Sequence, residues 1–104
     1  MKDIQVVLQR ITDIVEKYES GKWVKEKDLA EMNRQLSACI YYITTEQVEA
    51  HQRWNAEYHN FEGNNAQKER NADKEVWELY QYRKVIEAAR GVNIAMGYEL
   101  RMDG

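Results

Sequence analysis

The chain has 104 residues, a net charge of −3, no proline and a single cysteine. This length suits one domain, and a hydrophobic content of 43% is too high for a wholly disordered chain. The charge is neither basic enough to indicate nucleic-acid binding nor acidic enough to indicate DNA mimicry. Because proline is absent, little interrupts a helix, and the composition favours an all-α domain.

Cysteine usage and hydropathy indicate the cellular setting. The lone Cys39 cannot form an internal disulfide, which favours a reducing environment. No stretch approaches the roughly 18–20 consecutive apolar residues of a membrane span, and the N-terminus lacks the apolar core of a signal peptide. We therefore expect a soluble cytoplasmic protein that makes no membrane contact.

The first helix is predicted near residues 3–19. Apolar residues recur at i, i+3, i+4 and i+7 from Ile4 to Tyr18. Asp3 is a candidate N-cap, and Gly21 is a candidate stop after the helix. Trp23, in the short connection that follows, is expected to fold back and close the end of the core.

The second helix is predicted near residues 25–61. Its apolar line is dense and aliphatic up to Ile43 and then thins to Ala50 and a few aromatic residues. The β-branched pair at 44–45, Thr-Thr, is a place where this helix could kink. Residues 62–65, Glu-Gly-Asn-Asn, are the strong turn signal of the second half.

The third helix is predicted near residues 65–102. It carries two apolar lines, which indicates contact with two neighbouring helices. Small residues cluster toward its end, from Ala88 to Gly97. Because glycine disfavours a helix interior, this cluster indicates either a close approach to another helix, which we favour, or an early end near Gly91.

These elements predict an all-α fold of three helices, in which a short N-terminal helix packs on a long, antiparallel, coiled-coil-like hairpin. Residues 1–104 form one domain, with a three-helix core from 3–45 and 81–102 and a projecting hairpin at 46–80. The predicted centre of the core comprises Ile11, Leu36, Ile40, Ile43, Ile86 and Ala89.

The projecting half contains more aromatic side chains than a narrow two-helix seam can bury. Surplus exposed aromatics are typical of a binding surface. An aromatic seam with partly exposed rims is an equally weighted alternative, and the same surface could pair two copies as a symmetric homodimer. The predicted partner-binding residues are Trp54, Tyr58, Phe61, Trp77 and Tyr80.

The sequence carries no catalytic or metal-binding signature. His51 and His59 are eight residues apart, and neither has the glutamate three positions earlier that a di-metal helical bundle requires. Cys39 lies on the apolar line and is expected to be a buried residue. No phosphate loop, nucleophile elbow or HExxH motif occurs. We expect no enzymatic activity, cofactor, metal or small-molecule substrate.

A nucleic-acid role rests on four cations of the third helix. Glu78, Glu87 and Glu99 are interspersed with cations along this helix, Glu87 at i+3 or i+4 spacing, and all three are expected to neutralise cations by pairing. Without a continuous basic stripe, direct nucleic-acid binding is the less favoured interpretation. The cations are Arg83, Lys84, Arg90 and Arg101.

Residues 71–83, NADKEVWELYQYR, fit the pattern AD..V.ELY..R. This segment resembles small tailed-phage early-region helical proteins, in which a small-residue helix and an apolar C-terminal turn follow the pattern. Proline often stands in that family where Trp77 stands here and marks a helix start, whereas with Trp77 we expect the helix to run straight through. The resemblance implies a phage accessory protein in the host cell cytoplasm, encoded near replication and recombination functions.

The leading hypothesis is a non-enzymatic protein–protein interaction module with an accessory or regulatory role. Its target would be a replication or recombination factor, or a defence nuclease that it inhibits in an anti-CRISPR-like manner. The alternatives are a nucleic-acid-associated accessory protein that uses the third helix, and a structural coiled-coil protein whose role is assembly.

Overall fold

The computed structural model describes residues 3–21 and 24–102, and every regular element in these residues is an α-helix. The all-α prediction is therefore confirmed for the described chain. The predicted number of helices is wrong, since four are present, and the predicted placement of Trp23 lies outside the described residues. The helices are α1 (Ile4–Glu19), α2 (Glu26–Asn60), α3 (Asn65–Glu75) and α4 (Glu78–Met102).

The ends of α1 match the sequence signals. The Asp3 carboxylate accepts a hydrogen bond from the Gln5 N–H at 2.9 Å, so it satisfies a donor that the first turn leaves free. At the other end the Ser20 N–H donates to the Glu16 carbonyl. Gly21 follows with φ +73°, a left-handed conformation that glycine adopts without steric cost.

The turn between α2 and α3 lies where the Glu-Gly-Asn-Asn signal predicts it. The Asn64 side chain accepts from the Gln67 N–H at 2.9 Å, and the Asn64 N–H donates to the Gln67 side chain at 3.0 Å. This reciprocal capping box fixes the start of α3. A Cβ on Gly63 would lie 2.5 Å from the Gln67 Oε1, so only glycine leaves room for the cap.

The break between α3 and α4 contradicts the prediction that one helix runs straight through Trp77. Val76 leaves the helical region with φ −127° and ψ 52°, although its N–H still donates to the Ala72 carbonyl. The next turn is tighter, because the Leu79 and Tyr80 N–H groups donate to the carbonyls three residues earlier. Val76 is β-branched, which disfavours helical backbone. The break leaves Val76 and Leu79 buried while Trp77 and Tyr80 face solvent.

Cross-helix hydrogen bonds show how α2 and α4 are oriented. Asn93 Nδ2 donates to the Asn33 Oδ1 at 2.7 Å, and Arg53 Nη1 donates to the Glu78 Oε1 at 2.6 Å. Residue numbers rise along α2 as they fall along α4, so the two helices run antiparallel. Both α1 and α3 also pack against α2, and α1 packs against α4. The resulting molecule measures 57 × 28 × 20 Å.

The buried core agrees with five of the six residues predicted for its centre. Leu36 and Ile43 are fully buried, and Ile11, Ile86 and Ala89 are also buried. Ile40 is the exception, because it is only partly buried at the edge of the core. The buried line of α2 advances by alternating steps of three and four residues, and Ile40 falls beside that line. It reads Leu29, Met32, Leu36, Cys39 and Ile43.

Beyond Ile43 the contact between helices narrows. We call residues 46–80 the distal arm and the remaining described residues the proximal core. Ala50 on α2 and Ala72 on α3 are both fully buried, so small side chains form the contact between α2 and α3 there, and Val76 and Leu79 are buried at the end of the arm. α2 itself continues through the pair at 44–45, where the Thr44 hydroxyl donates to the Ile40 carbonyl at 2.7 Å.

Gly91 does not mark a close approach of α4 to another described helix, although Ala89 in the same small-residue cluster is fully buried. α4 continues past Gly91, and a Cβ built on Gly91 would meet nothing within 4 Å. The favoured prediction of close helix packing at Gly91 is therefore wrong for the described chain, and so is its alternative of an early helix end. Over residues 3–21 and 24–102, no helix combines the length and apolar character needed to cross a bilayer.

Candidate partner-binding site

A cleft of about 340 Å³ lies at the break between α3 and α4. It brings together three of the five residues predicted to bind a partner: Trp54 from α2, Trp77 from the break and Tyr80 from α4. The other lining residues are Asp73, Val76, Leu79 and Arg83. We refer to these seven residues as the distal cleft.

Trp77 and Tyr80 are the exposed walls of the distal cleft. Their side chains are 62% and 68% exposed, an unusual amount for large aromatic residues. The exposure follows from local structure, because Val76 and Leu79 occupy the inward positions of the same two turns and are buried. The Lys84 ammonium lies 5.5 Å from the centre of the Tyr80 ring, which adds a cation to this wall.

Trp54 forms the inner side of the distal cleft and is held in place. Its Nε1–H donates to the Asp73 Oδ1 at 2.9 Å, which ties α2 to α3. Its indole stacks on the Tyr58 ring with centroids 5.3 Å apart and planes 21° apart. Trp54 is therefore half-buried and oriented, whereas Trp77 and Tyr80 are open to a partner.

The remaining two predicted residues lie outside the distal cleft. Tyr58 supports Trp54 from behind, and its hydroxyl donates to the Asn65 Oδ1 at 3.3 Å. Phe61 is the C-cap of α2 and lines a separate groove of about 280 Å³ with Arg70 and Lys74. The structure thus divides the predicted set into a cleft, a support and a second groove.

The carboxylates of α4 do not neutralise its cations in the way that their spacing predicts. Glu78 forms its ion pair with Arg53 of α2. Glu99 accepts a hydrogen bond at 2.5 Å from the hydroxyl of Tyr18 on α1. The predicted pairing within α4 is therefore wrong for both. Among the described residues, the four cations predicted for nucleic-acid binding form no ion pair, and all four are exposed: Arg83, Lys84, Arg90 and Arg101.

Sequence reasoning missed two exposed residues on the outward side of α4. Ile94 and Tyr98 are each 60% exposed, and the Arg101 guanidinium lies 5.4 Å from the centre of the Tyr98 ring. The signal that could have found them is a further periodic line, from Tyr80 to Tyr98, beside the two apolar lines of the predicted helix. Its members alternate by four and three residues, as on one face of a helix, but charged and small residues dilute its hydropathy.

Potential metal ligands and Cys39 were the other candidates for a chemical site. The described residues contain no group of three or more potential metal ligands. Cys39 is buried as expected, and it lines a pocket of about 200 Å³ between α1 and α2 with Asp3 and Arg10. This pocket belongs to the proximal core.

Tyr18 and Tyr82 are among the tyrosines whose pKa is raised. The hydrogen bond to Glu99, followed by burial and the charge of the same carboxylate, raises the pKa of Tyr18. Burial raises the pKa of Tyr82, and the charges of Glu46 and Glu78 act in the same direction. Both phenols therefore stay neutral and available as hydrogen-bond donors at physiological pH.

The fold and the distal cleft define a class: an all-helical chain with exposed aromatic side chains at and just after a break between two helices. The cleft combines buried aliphatic side chains with exposed aromatic ones. Comparison with family models, curated proteins and solved structures found no significant match to the chain.

Proposed function

We propose that the protein is a non-enzymatic helical module that binds another protein through the distal cleft. In this proposal the proximal core is a support, and residues 46–80 project from it as a coiled-coil-like hairpin that carries the site. The partner is a host or phage protein, such as a replication or recombination factor or a defence nuclease that the module inhibits. The module acts in the cytoplasm as a phage accessory or regulatory protein.

The observation that carries this proposal is the exposure of Trp77 and Tyr80 in the lining of a cleft that the buried Val76 and Leu79 also line. Tryptophan and tyrosine are the residue types enriched where binding energy concentrates in interfaces. The cleft is large enough for a bulky apolar side chain, and it is also lined by Trp54, which Asp73 holds by a hydrogen bond. Such a site resembles an anchor pocket more than a patch left by incomplete folding.

A capture experiment with matched variants tests the proposal. The chain is immobilised and exposed to extract from its native cells as wild type, Trp77→Ala, Tyr80→Ala and Tyr41→Ala. Tyr41 is the control because it is 78% exposed on α2, outside the distal arm. We expect one protein that wild type and Tyr41→Ala retain and that each cleft variant loses by about tenfold, as for an interface hot spot.

The candidate partner is then purified and titrated against the same four proteins, so that the interaction is shown to be direct. Equal affinity for all four would contradict a role for the distal cleft. Light scattering of the free protein addresses the homodimer: a dimer that Trp77→Ala converts to a monomer would mean that the cleft joins two copies instead.

Nucleic-acid association is the second candidate function. The observation that favours it is the set of exposed cations on α4 that form no ion pair with any residue the structure describes. Oligonucleotide binding that weakens steeply with salt would support it. Arg90→Ala should then reduce affinity and the salt slope together, whereas Trp77→Ala should leave the slope unchanged.

A further inference from the structure

The outward side of α4 is a continuous surface that no other described helix covers. Its central line runs through Tyr80, Lys84, Glu87, Gly91, Ile94 and Tyr98, at alternating steps of four and three residues, and all six are exposed. Steps of this kind keep side chains on one face of a helix. Arg83, Arg90 and Arg101 follow one border of the line. We call these nine residues the outer face of α4.

The outer face is positive, although the whole chain has a net charge of −3. Of the carboxylates on α4, Glu78 is committed to Arg53 and Glu99 to the Tyr18 hydroxyl, both on neighbouring helices. Four cations therefore share this surface with the single carboxylate of Glu87. A surface of this sign attracts an acidic partner and disfavours a basic one.

The outer face also has the shape that a second helix needs. Gly91 lies at its middle with open space beyond its Cα, so a partner helix can approach the backbone closely. An exposed tyrosine stands toward each end, Tyr80 beside Lys84 and Tyr98 beside Arg101. Each end therefore combines an aromatic ring with a cation, which suits an apolar side chain next to a carboxylate.

Two other occupants fit the outer face less well. A second copy of the chain would oppose four cations with the same four cations, in either orientation, and each copy has only Glu87 to offset them. A nucleic-acid strand would meet Glu87 and Ile94 at the centre, where neither residue attracts a phosphate backbone. Charge complementarity together with the aliphatic centre points to an acidic protein segment.

We propose that the outer face of α4 binds an acidic amphipathic helix of a partner protein, and this proposal rests on the proposed function. The segment from Tyr80 to Tyr98 spans about 27 Å at 1.5 Å per residue, which matches about five turns of a partner helix. One end of that helix lies next to the distal cleft, because Tyr80 and Arg83 belong to both surfaces. The partner's apolar side chains contact Ile94 and the tyrosines, and its carboxylates pair with the arginines.

Fluorescence anisotropy with three labelled probes tests this assignment. The first probe is an 18-residue helical peptide with leucines on one face and glutamates elsewhere. The second carries lysine at every glutamate position, and the third is an 18-nucleotide oligothymidylate. We expect the acidic peptide to bind at least about tenfold more tightly than the other two and its affinity to fall with added salt.

Charge reversals on exposed residues locate the binding surface without disturbing the core. Lys84→Glu and Arg90→Glu should each lower the affinity for the acidic peptide by about tenfold. Arg10→Glu makes the same change in net charge on α1, beside Cys39, and should alter affinity by less than about twofold. Circular dichroism of each variant confirms that the helices remain folded.

The outcomes separate this inference from the proposed function. Equal binding of the acidic and lysine peptides, or equal sensitivity to Arg10→Glu and Lys84→Glu, overturns the inference. If Trp77→Ala still abolishes capture of a cellular partner in that case, the proposed function stands. If the protein binds the oligonucleotide more tightly than the acidic peptide, the inference is overturned and nucleic acid is the ligand. If none of the three probes binds, the inference is also overturned, and the partner surface is uncharged.

Discussion

The proximal core and the distal arm follow the same helical repeat but fill it with different side chains. The core buries branched aliphatics such as Leu36 and Ile43 among three helices. The arm buries four residues, Ala50, Ala72, Val76 and Leu79, and its aromatic residues are half-buried or exposed. Burial of aliphatic surface stabilises a fold by about 25 cal/mol per Å². Because most of the buried aliphatic side chains lie in the core, the core contributes more of the stability than the arm does.

This difference predicts opposite sensitivities in the two regions. A large side chain in the core can be removed only at the cost of a cavity, whereas the buried side chains of the arm at Ala50 and Ala72 are already of minimal size. Adding atoms at these two positions forces the helices apart. The regions can therefore be told apart by whether truncation or enlargement is the more damaging change.

The largest effect is expected in the proximal core. Ile43→Ala should lower the free energy of unfolding by about 2–5 kcal/mol, because the side chain is fully buried and leaves a cavity. Ile40→Ala, one turn away and only partly buried, should cost clearly less. Urea denaturation of both variants measures the difference, and equal losses would contradict the assigned boundary of the core.

The next effect is expected in the distal arm. Ala72→Leu should lower the free energy of unfolding by about 1–3 kcal/mol, because the seam has no space for the added atoms. Ala56→Leu is the matched control, since Ala56 is exposed on the same arm. A neutral result for Ala72→Leu would mean that α2 and α3 do not pack closely in solution.

The sequence predicts the core well and the site in part, for physical reasons. Ile43 and Leu36 lie on a line of strong aliphatic periodicity, which burial enforces. The break at Val76 is harder to foresee, because a single β-branched residue disfavours a helix only slightly and tertiary packing decides the outcome.

Electrostatic pairing is the part of the site that spacing alone mispredicts. Glu78 forms its ion pair with Arg53 on α2 and not with a cation of its own helix. Likewise the Glu99 carboxylate accepts a hydrogen bond from Tyr18 on α1. A charged pair within one helix contributes only a few tenths of a kcal/mol to stability. A residue on a neighbouring helix can therefore compete for the same carboxylate. Which partner wins depends on tertiary geometry that the sequence does not contain.

The third prediction concerns the exposed Gly91 on α4. Gly91→Ala should raise the free energy of unfolding by about 1 kcal/mol, the usual advantage of alanine over glycine inside a helix. The added methyl group meets nothing within 4 Å, so no clash offsets the gain. A destabilised variant would show that Gly91 already packs against a second helix in solution.

The smallest effect concerns the contact between α1 and α4. The pKa of Tyr18 is raised by its hydrogen bond to Glu99. A raised pKa in the folded state gives a contribution to stability that is present below the unfolded pKa of about 10 and is lost as the pH rises through the folded value. The free energy of unfolding of Tyr18→Phe should therefore be lower than that of wild type at neutral pH. The difference between the two proteins should shrink in strongly alkaline solution.

The central claim is that the distal cleft contacts a partner, and photo-crosslinking in native cells tests it most directly. A photoreactive amino acid replaces Tyr80 in one variant and Tyr41 in another, since both positions are highly exposed. We predict a discrete crosslinked protein from position 80 that is lost when Trp77→Ala is added, and no such product from position 41. Identical products from both positions, or none from position 80, would contradict the account.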